Sequence, residues 1–426
     1  MNVVETAKKL KNSGKLKEAI DLLENFTQQN RKERIGAHKL LSDLYIKIGD
    51  EEKAINTLRR AIQNNPDNLW LYLMLGDLYL YDIKDSKSAV EIYKKGLSHF
   101  AKPVSTTMSP YRYFLKRLSN LSYDEGNLDD AKKYFELFIA LEPSDFYASD
   151  FQKFADTLIR LGDKKRAKEV LYLGIKTHPG YKKLYEFAKT VFPDEEFPYR
   201  EKRTKISDSG IQKIPIKTPL IREGDNLYEI VDKYTKGIRQ EGDIITVSSC
   251  VAAMCEERSV TVDTIFPSKL AIVLSHFVSH KNVPFGGAAP LANPAAMEIA
   301  IRESGRLRII FAAFAGALGR VLGKSGWFYR TAGAQAALID DPPAAMPPFD
   351  YAVIPGPRDS FAVSERIKEI TGCEAAIIDA NDLGNAWAVG YSNGVDKEKL
   401  EAALSDNPAG NEDQQTPIVI VRGLKS

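Results

Sequence analysis

The chain has 426 residues, a formal net charge of +2, 44% hydrophobic and 27% charged residues. That length exceeds one ordinary domain, the composition is that of a protein with a packed core, and a charge so near neutrality excludes a nucleic-acid binder built on a strongly basic stripe. Cys250, Cys255 and Cys373 are odd in number and show no metal-knuckle spacing, so a reduced, cytoplasmic protein is expected. The opening residues lead straight into a charged, helix-forming segment without the apolar centre of a signal peptide. The most apolar run, residues 309–319, is far short of the ~20 residues a spanning helix needs. It is expected as a buried helix.

From the N-terminus, a small residue recurs at Ala19, Ala54, Ala89, Ala131 and Ala167, at spacings of 35, 35, 42 and 36. Gly14, Gly49, Gly126 and Gly162 stand five residues ahead of four of these alanines; the third unit has 82–85 in a longer turn instead. Pro66, Pro143 and Pro179 each follow an alanine by twelve residues. These offsets resemble the tetratricopeptide (TPR) repeat of about 34 residues, in which two antiparallel helices meet at small residues and a proline closes the second. Tyr45, Leu58, Phe135 and Leu171 then fill the space to the next hairpin. One hairpin cannot bury its own apolar face, so several must stack. Residues 1–195 are therefore expected as an all-α solenoid of about five hairpins plus a partial cap near 184–191. A concave groove that holds a polypeptide partner is the functional expectation; a spacer or cap for the second domain is the alternative. Tyr72, Tyr79, Tyr81 and Tyr93 are candidates for the groove lining or for core.

Composition changes after Val191. The stretch 196–210 carries Pro198 and a basic cluster, Arg200, Lys202, Arg203 and Lys205, without hydrophobic periodicity, as a solvated linker should. Beyond it, 211–216, 244–247, 375–378 and 418–421 read as strands, and 227–234, 267–278, 295–304, 364–371 and 397–404 as helices. Residues 211–426 are thus expected as a mixed α/β domain. His276 and His280 sit at i, i+4 and face polar surface or hold a metal, although no third ligand is nearby. The run 284–294 (PFGGAAPLANP) lacks the lysine of a P-loop and reads as a loop. Cys250 and Cys255 read as buried small hydrophobes.

Several segments of this second domain resemble the γ-glutamyl ligases that extend coenzyme F-420. IKTPLIREGDNLYEIVDKYTKGIRQEGDII at 216–245 is similar to the opening of that family, and TPIVIVRGL at 416–424 to its final strand. AGAQAALID at 332–340, SERIKEITG at 364–372 and IIDANDLG at 377–384 fall between them in the family's order. The resemblance implies amide-bond formation: GTP (or ATP) phosphorylates a small carboxylate substrate, Mg²⁺ or Mn²⁺ neutralises the phosphates, and an amino acid's amine attacks the acyl phosphate. It also implies a homodimer through this domain; from the charge and the short apolar runs, no nucleic-acid partner and no membrane span are expected.

Such chemistry needs carboxylates for a hard cation and donors for phosphate oxygens. Asp379 and Asp382, at the end of an apolar strand, and Asp340, with Asp341 after it, are the candidate metal ligands; a strand-end cap and a turn before Pro342 are the structural alternatives. Arg330, Asn381, Gln335, Arg258 and Glu256 are the candidates for nucleotide and phosphate. The chain departs from the pattern at three places. Gln335 stands where the ligases have an aspartate, Ala380 replaces a threonine, and Met254 replaces a lysine. Two functions follow: a metal- and nucleotide-dependent ligase whose repeats recruit a partner, or an inactive ligase fold that acts as a scaffold through its repeats.

Overall fold

The computed structural model describes residues 3–29, 35–106, 108–201, 210–278, 290–324, 326–342, 345–381, 384–410 and 414–424. His280, Asp382, residues 202–209 of the basic linker and 284–289 of the glycine-containing loop lie outside the described residues. The chain divides into two compact units, Met1–Phe146 with Asp150–Val170, and Tyr147–Ser149 with Leu171–Ser426.

The helical repeat expected from the alanine period is what forms. In chain order the helices are α1 (Val3–Asn12), α2 (Leu16–Gln29), α3 (Ile35–Lys47), α4 (Glu51–Asn64), α5 (Leu69–Asp77), α6 (Ser86–Leu97), α7 (Tyr111–Asp124), α8 (Leu128–Ile139), α9 (Ala148–Arg160), α10 (Lys164–Thr177) and α11 (Lys182–Val191). All five periodic alanines are fully buried. A methyl group is the largest side chain that lets two helix backbones come so close, which is why the period is carried by alanine.

The turns inside the hairpins share one device. Gly14, Gly49, Gly126 and Gly162 have φ of 78°, 77°, 76° and 84°, left-handed conformations that cost glycine nothing. The next residue donates its N–H back five positions, as in Asp50 to Tyr45 (2.9 Å), Asn127 to Ser122 (2.8 Å) and Asp163 to Leu158 (2.8 Å). The side chains of Asp50, Asn127 and Asp163 then cap the following helix by accepting from the N–H of Lys53, Asp130 and Arg166. In the third hairpin, which lacks the glycine, the first helix ends in a π-helical turn, Leu78–Ile83. Lys84 takes the left-handed position at φ 66°, and Asp85 N–H reaches back six residues to Tyr79, 2.9 Å. The longer turn read from residues 82–85 is this extra residue.

Helices α5 and α7 are buried along most of their length, charges included. Asp77 accepts from Tyr93 Oη at 2.6 Å and from Arg117 at 3.0 and 3.2 Å, and all three side chains are buried. Arg117 also lies 5.6 Å from the centre of the Tyr81 ring, and Tyr79 accepts from Arg59 at 2.7 Å. Of the four tyrosines weighed for the groove, Tyr72, Tyr79 and Tyr93 are buried and Tyr81 is half-buried, so they belong to the packing of the array. The insertion between the third and fourth hairpins is tied down by buried Arg112, which donates to the Ser105 carbonyl and pairs with Asp145.

The second unit holds a five-stranded mixed sheet. Its elements are β1 (Gln212–Ile216), α12 (Leu227–Thr235), β2 (Ile244–Ser248), α13 (Ser249–Cys255), β3 (Val260–Thr261), α14 (Lys269–Phe277), α15 (Pro294–Ser304), α16 (Arg306–Val321), α17 (Trp327–Ala332), α18 (Ala334–Ala337), β4 (Ala352–Val353), α19 (Ser360–Thr371), β5 (Glu374–Asn381), β6 (Asn385–Tyr391), α20 (Lys397–Ala403) and β7 (Ile418–Arg422). The order is β1-β7-β2-β5-β6; β2 and β5 are parallel and the other neighbours antiparallel. Alternation along β2, β5 and β7 feeds two cores. Ile245, Val247, Ala375, Ile377, Ile418 and Ile420 face α12 and α19, while Ile244, Ala376, Ile378, Val419 and Val421 face α20. Strand β6 was not read from the sequence, because Gly390 and small residues interrupt its apolar pattern. A side chain at Gly390 would meet the Ser360 backbone at 2.2 Å, so the start of α19 requires glycine there.

The two end motifs of the domain meet in space. Arg422 at the end of β7 donates to both carboxylate oxygens of Asp243, ahead of β2, at 2.9 and 2.8 Å. Gly423 follows with φ 80°, and a Cβ there would lie 2.6 Å from the Gly210 carbonyl oxygen. The GD and VRGL motifs are thus structural.

One expectation is corrected. Residues 309–319 fall in α16, of which Ile309, Ala312 and Gly319 are buried, while Phe311, Phe314 and Leu318 are exposed. The inward face is the small one. Gly316 and Gly319 let α17 approach so closely that an added Cβ would meet Phe328 at 3.1 Å and the Lys324 carbonyl oxygen at 2.8 Å. Among the described residues no helix is long and apolar enough to cross a membrane.

The Asp243–Arg422 pair supplies a test. Asp243→Ala strands the guanidinium beside a buried position and is expected to lower the unfolding free energy by about 2 kcal/mol in urea titration. An effect within about 0.5 kcal/mol, the range of an ordinary surface change, would show that the pair does not hold β7 to β2.

Candidate functional site

The site begins with the one parallel strand pair of the sheet. β2 and β5 run side by side in register, with Ser248 opposite Ile378, so both reach the same edge of the sheet. The next residues at that edge are Asp379 on β5 and, in the first turn of α13, Cys250. In mixed and parallel sheets the carboxyl ends of such strands are where ligands are held. A third group arrives from a distant segment. Met254 and Ala253 of α13 pack on Ala352 and Ile354, and Ile354 forms an antiparallel bridge with Asp340, 2.9 and 3.0 Å in the two directions.

Asp340, Asp379 and Cys250 therefore converge. The Cys250 thiol faces the Asp340 carboxyl closely enough to interact with it. Burial and then the charge of Asp379 push Asp340 up to about 7, against a smaller opposing effect of Cys250. Burial also raises Asp379. Burial first, then Asp340 and Asp379, drives the Cys250 thiol far above its ordinary range, so the cysteine stays a neutral donor. Each aspartate keeps part of its surface exposed although its carboxyl is lined by protein.

The other candidates fall elsewhere. Glu256 accepts the Arg358 N–H at 2.8 Å and Gln335 donates to the Pro357 carbonyl at 2.9 Å, so both hold the loop ahead of α19. The second polar atom of Gln335, Oε1, is buried without a partner. Arg258 pairs with Glu303 at 2.5 Å and is mostly buried. Arg330 is exposed on α17, and Asn381 is exposed at the end of β5. Met254, at the position of the family's lysine, is buried in an apolar cluster, where a cation would have no place. Ala380 packs with the core on the α20 side. Glu257, between Glu256 and Arg258, adopts a left-handed conformation at φ 57°, uncommon for a residue other than glycine.

Sequence reading missed Cys250 because a lone cysteine in an apolar run looks like core. The signal was its distance from the strand end. Two residues beyond β2, whose last residue lies opposite Ile378 on the parallel strand β5, it falls at the same edge as Asp379.

A divalent cation can be tested against these residues. Among the described residues, no group of three His, Cys, Asp or Glu side chains is arranged to hold one. Two carboxylates that repel when ionised, with a neutral amide oxygen left open nearby in sequence, suit Mg²⁺ or Mn²⁺, which take one or two carboxylates and complete their shell with water and phosphate.

A pH series checks the pair. The folded chain keeps a proton on Asp340 up to about pH 7, whereas an unfolded aspartate loses it near about 4. The native state binds more protons in that window, so this pair lowers stability as pH rises. Asp340→Asn is expected to raise the urea midpoint over the parent at pH 8 and to leave it unchanged at pH 4. Equal midpoints at pH 8 would separate the two carboxylates.

The family comparisons agree with this architecture. Residues 215–397 match the family described as F420-0:Gamma-glutamyl ligase, and residues 12–74 match Tetratricopeptide repeat. No curated protein matches the chain. Among solved structures, MamA from Desulfovibrio magneticus RS-1 is 13% identical, covering 45% of this chain and 97% of that one with a TM-score of 0.31. YrrB, described as a TPR protein with an unusual peptide-binding site, is 17% identical, covering 44% of this chain and 90% of that one with a TM-score of 0.33. The chain thus joins a region that matches the tetratricopeptide repeat to a domain that matches the F420-0:gamma-glutamyl ligase family.

Proposed function

We propose that the second domain is a divalent-metal- and nucleotide-dependent ligase, forming an amide bond of the γ-glutamyl type between a small carboxylate and an amino acid. The observation that carries this reading is the convergence of Asp340 and Asp379 at the edge where β2 and β5 end. Asp340 and Asp379 would hold the cation, with water and phosphate oxygens completing its shell. When bound, Mg²⁺ or Mn²⁺ supplies charge neutralisation of the nucleotide phosphates.

The chain's own groups give the site a particular character. Cys250 faces the Asp340 carboxyl without adding charge. Glu256 and Gln335 fix the loop at 357–358 ahead of α19. The usual cationic contribution to phosphate is reduced, because Met254 is apolar and Arg258 is engaged by Glu303. Arg330 is the exposed cation that remains in the alanine-rich segment leading to Asp340 and is the proposed phosphate contact, reached on substrate binding. Phosphate stabilisation then rests mainly on the metal. Asp382 and Asn381 belong to the same proposal, and a homodimer through this domain, GTP or ATP as the phosphoryl donor and a cytoplasmic location complete it. The repeats recruit a polypeptide partner and set where the domain acts.

The buried Met254 and the occupied Arg258 favour a second reading, an inactive ligase fold that works as a scaffold through its repeats. Titration calorimetry on the full chain distinguishes the two. Heat of binding for GTP or ATP in the presence of Mn²⁺ or Mg²⁺, abolished in a folded Asp379→Asn variant, is the result expected. Folded parent protein that gives no heat with either nucleotide and either metal leaves the scaffold reading.

A further inference from the structure

Helix α16 inverts the usual arrangement of a surface helix, with small residues inward and large ones outward. Leu307, Phe311, Phe314, Leu318 and Val321 recur at spacings of four and three and are 73%, 67%, 71%, 53% and 84% exposed. At 100° per residue they fall within about 80° of the helix circumference. The helix cannot roll to bury them, because the opposite face is fixed by the contacts of Gly316 and Gly319 with α17 and the turn before it. Soluble monomers rarely leave so continuous an apolar stripe facing water without a use for it.

Charge names the occupant. Between Glu303 and Asp340 the sequence contains no acidic residue, while Arg306, Arg308, Arg320, Lys324 and Arg330 are basic. On the helix circumference Arg308 and Arg306 flank the stripe, one on each side, and Arg320 lies farther round, beyond Arg306. Arg308 Nε donates to the Thr331 carbonyl and Arg320 to the Phe277 carbonyl, both at 2.8 Å, which fixes both cations in place. Phe277 at the end of α14, whose carbonyl Arg320 holds, is itself 67% exposed. A second copy of the chain on this face would set five cations against five. An apolar stripe rich in Phe and Leu between rows of arginine, with no acid, is the composition of a helix that lies in the plane of an anionic bilayer surface. Sixteen residues make a rod of about 24 Å, enough to lie on the surface and too short to span it.

We propose that α16 docks the protein on an anionic lipid surface, with the Phe311–Phe314 stripe in the acyl boundary and the arginines at the headgroups. This goes beyond the ligase reading and stands or falls separately from it. The test is co-sedimentation of the full chain with vesicles of equimolar phosphatidylcholine and phosphatidylglycerol, beside vesicles of phosphatidylcholine alone. Binding to the anionic vesicles is expected, weaker at high salt. It should fall about tenfold or more in Phe311→Gln/Phe314→Gln, whose outward positions leave packing intact, and several-fold in Arg306→Gln/Arg320→Gln. Three results overturn the proposal. The first is folded parent protein that ignores the anionic vesicles. The second is equal binding by the Phe variant. The third is a parent dimer in light scattering that the Phe variant makes monomeric while vesicles go unbound, which would assign the face to a second copy.

Discussion

Two carboxylates buried side by side cannot both be ionised unless a counter-charge joins them, and in this domain Asp340 and Asp379 are in that position. The rest of the site exists to impose the arrangement. Parallel pairing of β2 with β5 delivers Asp379 and Cys250 to one edge, and the bridge of Asp340 to Ile354 adds the second carboxyl from a remote segment. Without a cation the pair retains a proton near neutrality, at a cost in stability. In the proposed metal-bound state the same repulsion would become affinity. The domain keeps a destabilising pair in a partly open position, a pattern common where function outweighs stability.

The frame around the pair is conventional and strongly specified. Asp243 and Arg422 lock the first and last segments of the domain together, and Gly423 permits the backbone to pass Gly210. In the repeat unit the glycine turns and their Asp or Asn caps do equivalent work, and where glycine is missing the chain adds a residue as a π-helical turn. Both units spend their special backbone conformations on turns, which explains why the repeat was legible from spacing alone.

What the sequence showed and hid follows from the range of each interaction. Local periodicity revealed the helical hairpins, four of the five strands of the main sheet, and Asp379 at a strand end. It could not show that residues 334–340 come back to α13, since that contact depends on Ile354 and on packing around Met254. Cys250 was hidden for the same reason, and Arg330, chosen for its type, stands exposed on α17. The apolar content of α16 was visible while its direction was not. Burial of the small face is decided by the approach of α17, and composition reads both faces alike.

The claim most open to direct trial is that the carboxyl pair exchanges its proton for a metal ion. Titration of the full chain with Mn²⁺ near neutral pH, repeated in two buffers of different ionisation enthalpy, measures protons released on binding. The account predicts one saturable site that releases a substantial fraction of a proton, with affinity rising as pH increases through about 7. In folded Asp340→Asn both the release and the pH dependence should disappear. Tight binding with no proton release, or no binding by the folded parent, would contradict it.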